Sequence, residues 1–201
     1  MSYDYIIVGA GSAGCVLANR LTEDLSCKVL LLEAGGKGNF LVNIPGAYSV
    51  LHRSAVDWAF WTEPQSHVLS RKLFIPRGKV LGGSSSTNAM AYVRGNAADY
   101  DEWSSLGNKG WSYNEVLPYF IKSEKHQTKG APYHGTDGPL YVSFARNPSP
   151  LNQSFLEACS KNGIPFNEDY NGANRKGPVC CNSRSKKIAV KAPPRLSCFL
   201  Q

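Results

Sequence analysis

The 201 residues carry 22 Lys+Arg against 15 Asp+Glu, a formal net charge of +7, with 42% apolar and 18% charged residues, which is ordinary globular material. No acidic residue follows Asp169, whereas Arg175, Lys176, Arg184, Lys186, Lys187, Lys191 and Arg195 do, so the excess belongs to the last 27 residues and residues 1–174 balance. A basic face for nucleic acid is thereby argued against, no run approaches the roughly 18–20 apolar residues of a membrane span, and Asp4 and Gly9 spoil any secretion signal.

The six cysteines (Cys15, Cys27, Cys159, Cys180, Cys181 and Cys198) contain no Cys-x-x-Cys pair and no zinc spacing with histidine. They read as reduced thiols, and the expected setting is cytoplasmic, with peripheral membrane association left open.

Tyr3–Val8 is a short β-branched run that ends at glycine and predicts a buried parallel strand. Gly9-Ala10-Gly11-Ser12-Ala13-Gly14 follows. A helix comes next, with Ala13, Val16, Leu17, Leu21 and Leu25 at helical spacing, and then a second strand over Lys28–Glu33. Strand, glycines, helix, strand and acid fall in order within one βαβ length, a strong signal where the glycines alone would be weak. Gly9 permits the tight turn, Gly11 lets backbone approach a pyrophosphate, and Gly14 allows helix and strand to touch. The helix start at Ser12 and Ala13 offers N–H groups and the positive dipole end to phosphates. Glu33, followed by Ala34, stands 19 residues after Gly14, where the second strand should meet adenosine ribose hydroxyls. A carboxylate there disfavours a 2′-phosphate, and hence NADP. This unit alone does not choose between NAD and FAD.

Arg77–Gly95 holds Gly82, Gly83 and three serines at its centre, which rule out regular helix or strand there and predict a loop with many N–H donors. Such a loop suits a cofactor's phosphates or ring edge. Val80, Leu81, Met90 and Val93 flank it, so it should be packed and not free.

Asp99–Leu106 and Ser112–Lys125 read as helices. In the second, Ser112 with Glu115 forms a capping box, Pro118 implies a kink or a displaced start, and Val116, Leu117, Phe120 and Ile121 should face inward. Gly138–Phe144 reads as a strand, residues 147–150 as a break, and Pro150–Asn162 as a helix started by Ser149 and stopped at Gly163. His52, His67, His126 and His134 form no metal spacing and read as surface or loop residues. Val179–Lys187 has neither strand alternation nor helical period. Cys198-Phe199-Leu200-Gln201 fits a prenylation box, a four-residue match that arises easily.

Gly9–Gly14 with Glu33-Ala34-Gly35, then Asp57-Trp58, Thr62-Glu63-Pro64-Gln65 and Arg77–Gly95, resemble the glucose–methanol–choline (GMC) family of FAD-dependent oxidoreductases. The choline dehydrogenase-like and alcohol dehydrogenase-like branch is the nearest in character, and Tyr141–Ser143 and Asp169–Gly172 share its look. The resemblance runs from about Ser2 to about Gly177. It implies an α/β fold: a Rossmann-like FAD-binding βαβ core with part of an α+β substrate domain, truncated. The expected division is an FAD-binding domain over 1–100 with a flavin loop at 77–95, a substrate-facing segment over 101–177, and a basic non-family tail over 178–201, read as a shifted frame or alternative terminus.

By position, the resemblance implies that Gly9, Gly11 and Gly14 cradle the FAD pyrophosphate and Glu33 the ribose. Val80, Gly82, Gly83, Asn88, Ala89, Met90 and Ala91 would lie along the pyrophosphate and flavin ring. Thr87 stands where some choline-oxidising members carry a histidine bonded covalently to flavin, so FAD here should be non-covalent. The family's catalytic histidine lies near the end of a much longer chain, and no residue here matches it. The implied whole enzyme oxidises a primary alcohol to an aldehyde, with a quinone, a dye-like acceptor or oxygen taking the electrons. A non-catalytic flavin- or nucleotide-binding module and an unstable truncation product remain open beside this reading.

Overall fold

The computed structural model describes residues 2–145, 148–179, 182–184 and 196–200. They fall into two units, Met1–Met90 with Lys186–Gln201, and Ala91–Ser185.

The first unit begins with β1 (Tyr5–Val8), the glycine turn, α1 (Ser12–Leu21) and β2 (Val29–Glu33). β1 and β2 pair in parallel, from Tyr5 opposite Val29 to Val8 opposite Leu32. The core forms where the sheet meets α1: Ala10, Ala18, Val29 and Leu31 are buried, with Ile7, Cys15, Leu21, Cys27 and Leu81 packed around them. Small residues let the elements approach, and burying Leu31 alone contributes about 1.5–3 kcal/mol. The unit continues through α2 (Tyr48–Leu51) and a two-stranded ribbon, β3 (Phe60–Trp61) against β4 (Phe74–Ile75), to α3 (Ser84–Thr87).

Two expectations fail here. β1 is parallel but not buried: Ile6 is 61% and Val8 83% exposed, because they point to the sheet face opposite Ile7, which packs into the core with α1, and β1 has only β2 beside it among the described residues. The serine run is not irregular throughout. Ser84–Thr87 makes one α-helical turn, entered through Gly83 at φ +54° and closed by Asn88 N–H on the Ser84 carbonyl at 3.0 Å.

The second unit opens with α4 (Ala97–Ser105) and α5 (Tyr113–Ser123), each started by a capping box, Asn96 with Asp99 and Ser112 with Glu115. Pro118 lies within α5, so the start is not displaced. Val116, Leu117, Phe120 and Ile121 are half-buried, as their spacing requires. β5 (Glu124–His126) runs on directly from α5 and pairs in parallel with β6 (Leu140–Phe144). α6 (Pro150–Lys161) is capped by Ser149, whose side chain accepts from Leu151 N–H.

The tail also departs from expectation. β7 (Asn182–Arg184) pairs antiparallel with β6 in the second unit, and β8 (Leu196–Leu200) adds a third parallel strand to the first sheet, in the order β1-β2-β8. β8 pairs with β2 in register from Leu196 opposite Val29 to Leu200 opposite Glu33, a long-range backbone pairing that no local pattern in the tail announces. Cys180 and Cys181 lie outside the described residues, as does most of the basic run. No described helix is long and apolar enough to cross a membrane.

Candidate functional site

The site in the first unit begins at the N-terminus of α1. Its N-cap is Gly11, no side chain caps it, and its first turn holds no acid. Among the described residues the first N–H groups of α1 thus find no side-chain acceptor, and with the dipole they suit an anion. Gly9 takes φ +99°, open to glycine and costly for other residues. Gly14 is buried, and a Cβ there would strike the Gly9 carbonyl oxygen. These are the reasons the turn needs glycine at both ends.

Glu33 ends β2 and is only 8% exposed. One oxygen accepts from Ala10 N–H at 2.8 Å and the other from Gly35 N–H at 2.8 Å. The carboxylate therefore ties the glycine turn to the end of β2, a task the spacing did not reveal. The 77–87 loop is knitted to the same place. Gly82 N–H donates to the Ala10 carbonyl at 2.8 Å, Leu81 N–H to Gly36 at 3.0 Å, and Gly36 bridges to Val80.

Asp57 anchors the other side of that loop. Its carboxylate accepts from the N–H groups of Arg53 at 2.7 Å, Ala59 at 3.0 Å and Arg77 at 2.8 Å. Desolvation works against the ionised form, but these backbone donors outweigh it and hold the carboxyl below its ordinary range.

Between these parts lies a cavity of about 680 Å³. Gly9, Gly11, Glu33, Ala34 and Gly83 line it, so five of the residues expected from sequence meet there. Ser12 and Ala13 stand exposed in the first turn of α1 beside it, and Gly14 sits behind the turn. Val80 is wholly buried beneath the loop, and Gly82 serves its fold through backbone. Asn88, Ala89, Met90 and Ala91 are not part of the lining; Met90 has φ +65° and its N–H is held by the Asn88 side chain at 3.0 Å. Arg77, Gly78 and Ser84, from the loop expected to meet a cofactor, also line it, as do Val8 and Leu32, whereas sequence reasoning gave no site role to Trp58 or Phe60, which add an aromatic wall. Trp58 and Phe60 stack with centroids 5.7 Å apart and planes within 7°, and Lys79 lies 4.8 Å over Trp58. Asp57-Trp58 was the one available signal, since no periodicity marks this stretch.

The second unit contains a buried ionic cluster that the histidine spacings concealed. His126 and His134 are 4% and 3% exposed, not surface residues. Glu124, fully buried on β5, receives Arg94 at 2.8 Å, His134 Nδ1 at 3.0 Å and Gly135 N–H at 3.2 Å. His134 Nε2 lies 2.8 Å from Asp169. Asn171 receives the Arg94 N–H at 2.9 Å and donates to the Tyr92 carbonyl at 3.1 Å. Burial works against a charged His134, but its bonds to Glu124 and Asp169 prevail and raise its pKa above the ordinary value. Ligand atoms of Glu124, His126 and His134 come within 4.8 Å of one another. The Arg94 guanidinium already neutralises that carboxylate and both ring nitrogens of His134 face acids, so the group is an internal ion network and a poor cation cage.

Cys27 and Cys159 are free thiols, and the Cys15 Sγ lies 3.3 Å from the Ala10 carbonyl.

A parallel βαβ unit, a glycine turn without a side-chain cap and an acid closing the second strand define a Rossmann-type dinucleotide-binding protein. The family model described as GMC oxidoreductase matches residues 3–191, and the chain belongs to that family. The match continues past Gly177, where the sequence reading ended the likeness. Choline dehydrogenase of Mus musculus is 48% identical over 184 residues, and alcohol dehydrogenase [acceptor] of Pseudomonas putida 50% over 178; each alignment covers 87% of this chain. The chain spans only 31% and 32% of those relatives. Pyridoxine 4-oxidase from Mesorbium loti superposes with a TM-score of 0.89 at 34% identity, over 99% of this chain and 42% of that one. A formate oxidase gives 0.86 at 28% identity, over 98% and 38%.

Proposed function

We propose that this chain is the nucleotide-holding part of an FAD-dependent GMC oxidoreductase that oxidises a primary alcohol, choline-like or aliphatic, to its aldehyde. The observation that carries this reading is the convergence of Gly9, Gly11, Glu33, Ala34 and Gly83 on one cavity. The residues fit FAD. Among the described residues no atom lies within 4 Å of where a Cβ would stand at Gly9 or Gly11, leaving backbone open to a pyrophosphate. The α1 N–H groups would bind its phosphates, Glu33 would orient the ribose, and the Trp58–Phe60 wall would shield that half from water. Bound there, FAD supplies the hydride acceptor for alcohol oxidation. Thr87 is buried and has no ring nitrogen, which supports non-covalent binding. No side chain here matches the family's catalytic base, so the 201-residue chain should bind flavin without turning over alcohol.

Purification and denaturation test this. Yellow protein that releases all its flavin on denaturation, and no alcohol-dependent dye reduction, is the expected result. Flavin that stays with the denatured chain overturns non-covalent binding; turnover overturns the assignment of the catalytic groups elsewhere. A second reading, a chain unstable in isolation, is favoured by the bare apolar edge of β1, where Ile6 and Val8 face solvent. Colourless, aggregated protein would support it.

A further inference from the structure

The His134 network has a consequence for the cavity beside it. Each ring nitrogen of His134 faces a carboxylate: Nδ1 meets Glu124 at 3.0 Å and Nε2 meets Asp169 at 2.8 Å. Carboxylates only accept, so both nitrogens must carry hydrogen, and the ring is an imidazolium. The two acids are not alike. Glu124 has a fully buried side chain that also binds Arg94 and Gly135 N–H. The Asp169 side chain is 23% exposed, with the Lys129 ammonium 3.8 Å away, and can take water in place of the ring.

A neutral ring keeps one proton. The dry side, toward Glu124, has the stronger claim on it, because an unhydrated carboxylate facing a ring lone pair has no substitute donor there. The bond to Asp169 is then the one lost. Asp169 belongs to the segment that leads through Asn171 to Lys176. Gly172, Asn174 and Arg175 on this segment line a cavity of about 630 Å³ within the unit, and Tyr133, the neighbour of His134, lines it from the other side. The remaining charged and titratable groups around the ring are His126, whose ring centroid lies 4.8 Å away, Arg94 with Tyr92 beside it on the Glu124 side, and Arg175, which reaches Asn171 at 3.2 Å.

We propose that His134 is a proton-operated clasp: as imidazolium it fastens the 167–176 segment to β5 through Asp169, and on losing its proton it releases that tether and leaves Asn171 to hold this wall of the cavity. The sign follows from the direction in which the pKa moves. The folded pKa is raised, so the clasp is fully closed below the ordinary histidine value of about 6.5 and opens as pH rises through the higher folded one.

The test is an NMR titration of the His134 ring in the full chain, alongside amide hydrogen exchange of residues 167–176 corrected for the intrinsic pH dependence. His134 should titrate above the ordinary value, and protection of the segment should be lost progressively as pH rises through that titration. Asp169→Asn is the control, since an amide can donate to a neutral ring; protection in that variant should not change with pH. The proposal fails if His134 titrates at or below its ordinary value, if wild-type protection stays constant, or if the variant loses protection as the wild type does.

Discussion

Each unit buries a glutamate at a strand end or start, and the two are satisfied in opposite ways. Glu33 closes β2 among backbone N–H groups, with no cation in contact among the described residues. Glu124 opens β5 between Arg94 and His134. The helix starts differ in the same sense. α4 and α5 neutralise their N-termini with their own Asp99 and Glu115, while α1 has neither side-chain cap nor acid. The second unit is thus electrostatically closed on itself. The first leaves a positive helix end open to an anion beside a carboxylate that holds the turn, as a site for a charged nucleotide requires.

The largest break in this contrast should come from Glu124→Gln. It leaves Arg94 and His134 as buried cations without their anion, which should cost about 3–5 kcal/mol in urea unfolding of the chain. Flavin retention, which the proposed site assigns to the first unit, should survive wherever the protein stays folded. Glu33→Gln reverses the pattern. An NH₂ group now faces Ala10 N–H or Gly35 N–H, leaving a buried donor unsatisfied at about 1–3 kcal/mol. Flavin retained through gel filtration should drop sharply, while the second unit's hydrogen-exchange pattern stays as it was.

A gentler probe is Asp57→Asn, which leaves one of the three N–H donors from Arg53, Ala59 and Arg77 facing an amide hydrogen. The Asp57 carboxyl is held below its ordinary range. Its contribution is therefore present above the unfolded carboxylate pKa and lost as pH falls through the folded one. The wild type should lose stability on acidification more steeply than the variant in parallel denaturation series. The smallest effect belongs to Ser112→Ala, which opens the α5 capping box for about 1 kcal/mol and should leave flavin content unchanged. A loss of flavin there would break the separation of the two units' roles.

Local chemistry explains what could be read in advance. The βαβ order, the Glu33 position, the capping box of α5 and the Ser149 start of α6 each depend on residues within a few positions of one another or on one short crossover. The Trp58–Phe60 wall was not legible, because nothing in a two-residue strand announces which face meets a cavity. His126 and His134 looked like loop histidines for a similar reason. The partners of His134, Glu124 and Asp169, lie 10 and 35 residues away, and no spacing rule connects them.

The sequence by itself therefore determined the nucleotide fold and its family, since turn, helix start and acid are constrained by backbone geometry inside a single motif. Tertiary structure decided three other matters. It left β1 as an exposed edge, it brought Leu196–Leu200 from a basic tail alongside β2, and it joined the half-buried Asp169 to the buried Arg94, Glu124 and His134 in one network. Strand order and the pairing of distant charges depend on which surfaces remain unburied once local elements have formed, and that is a property of the whole packing.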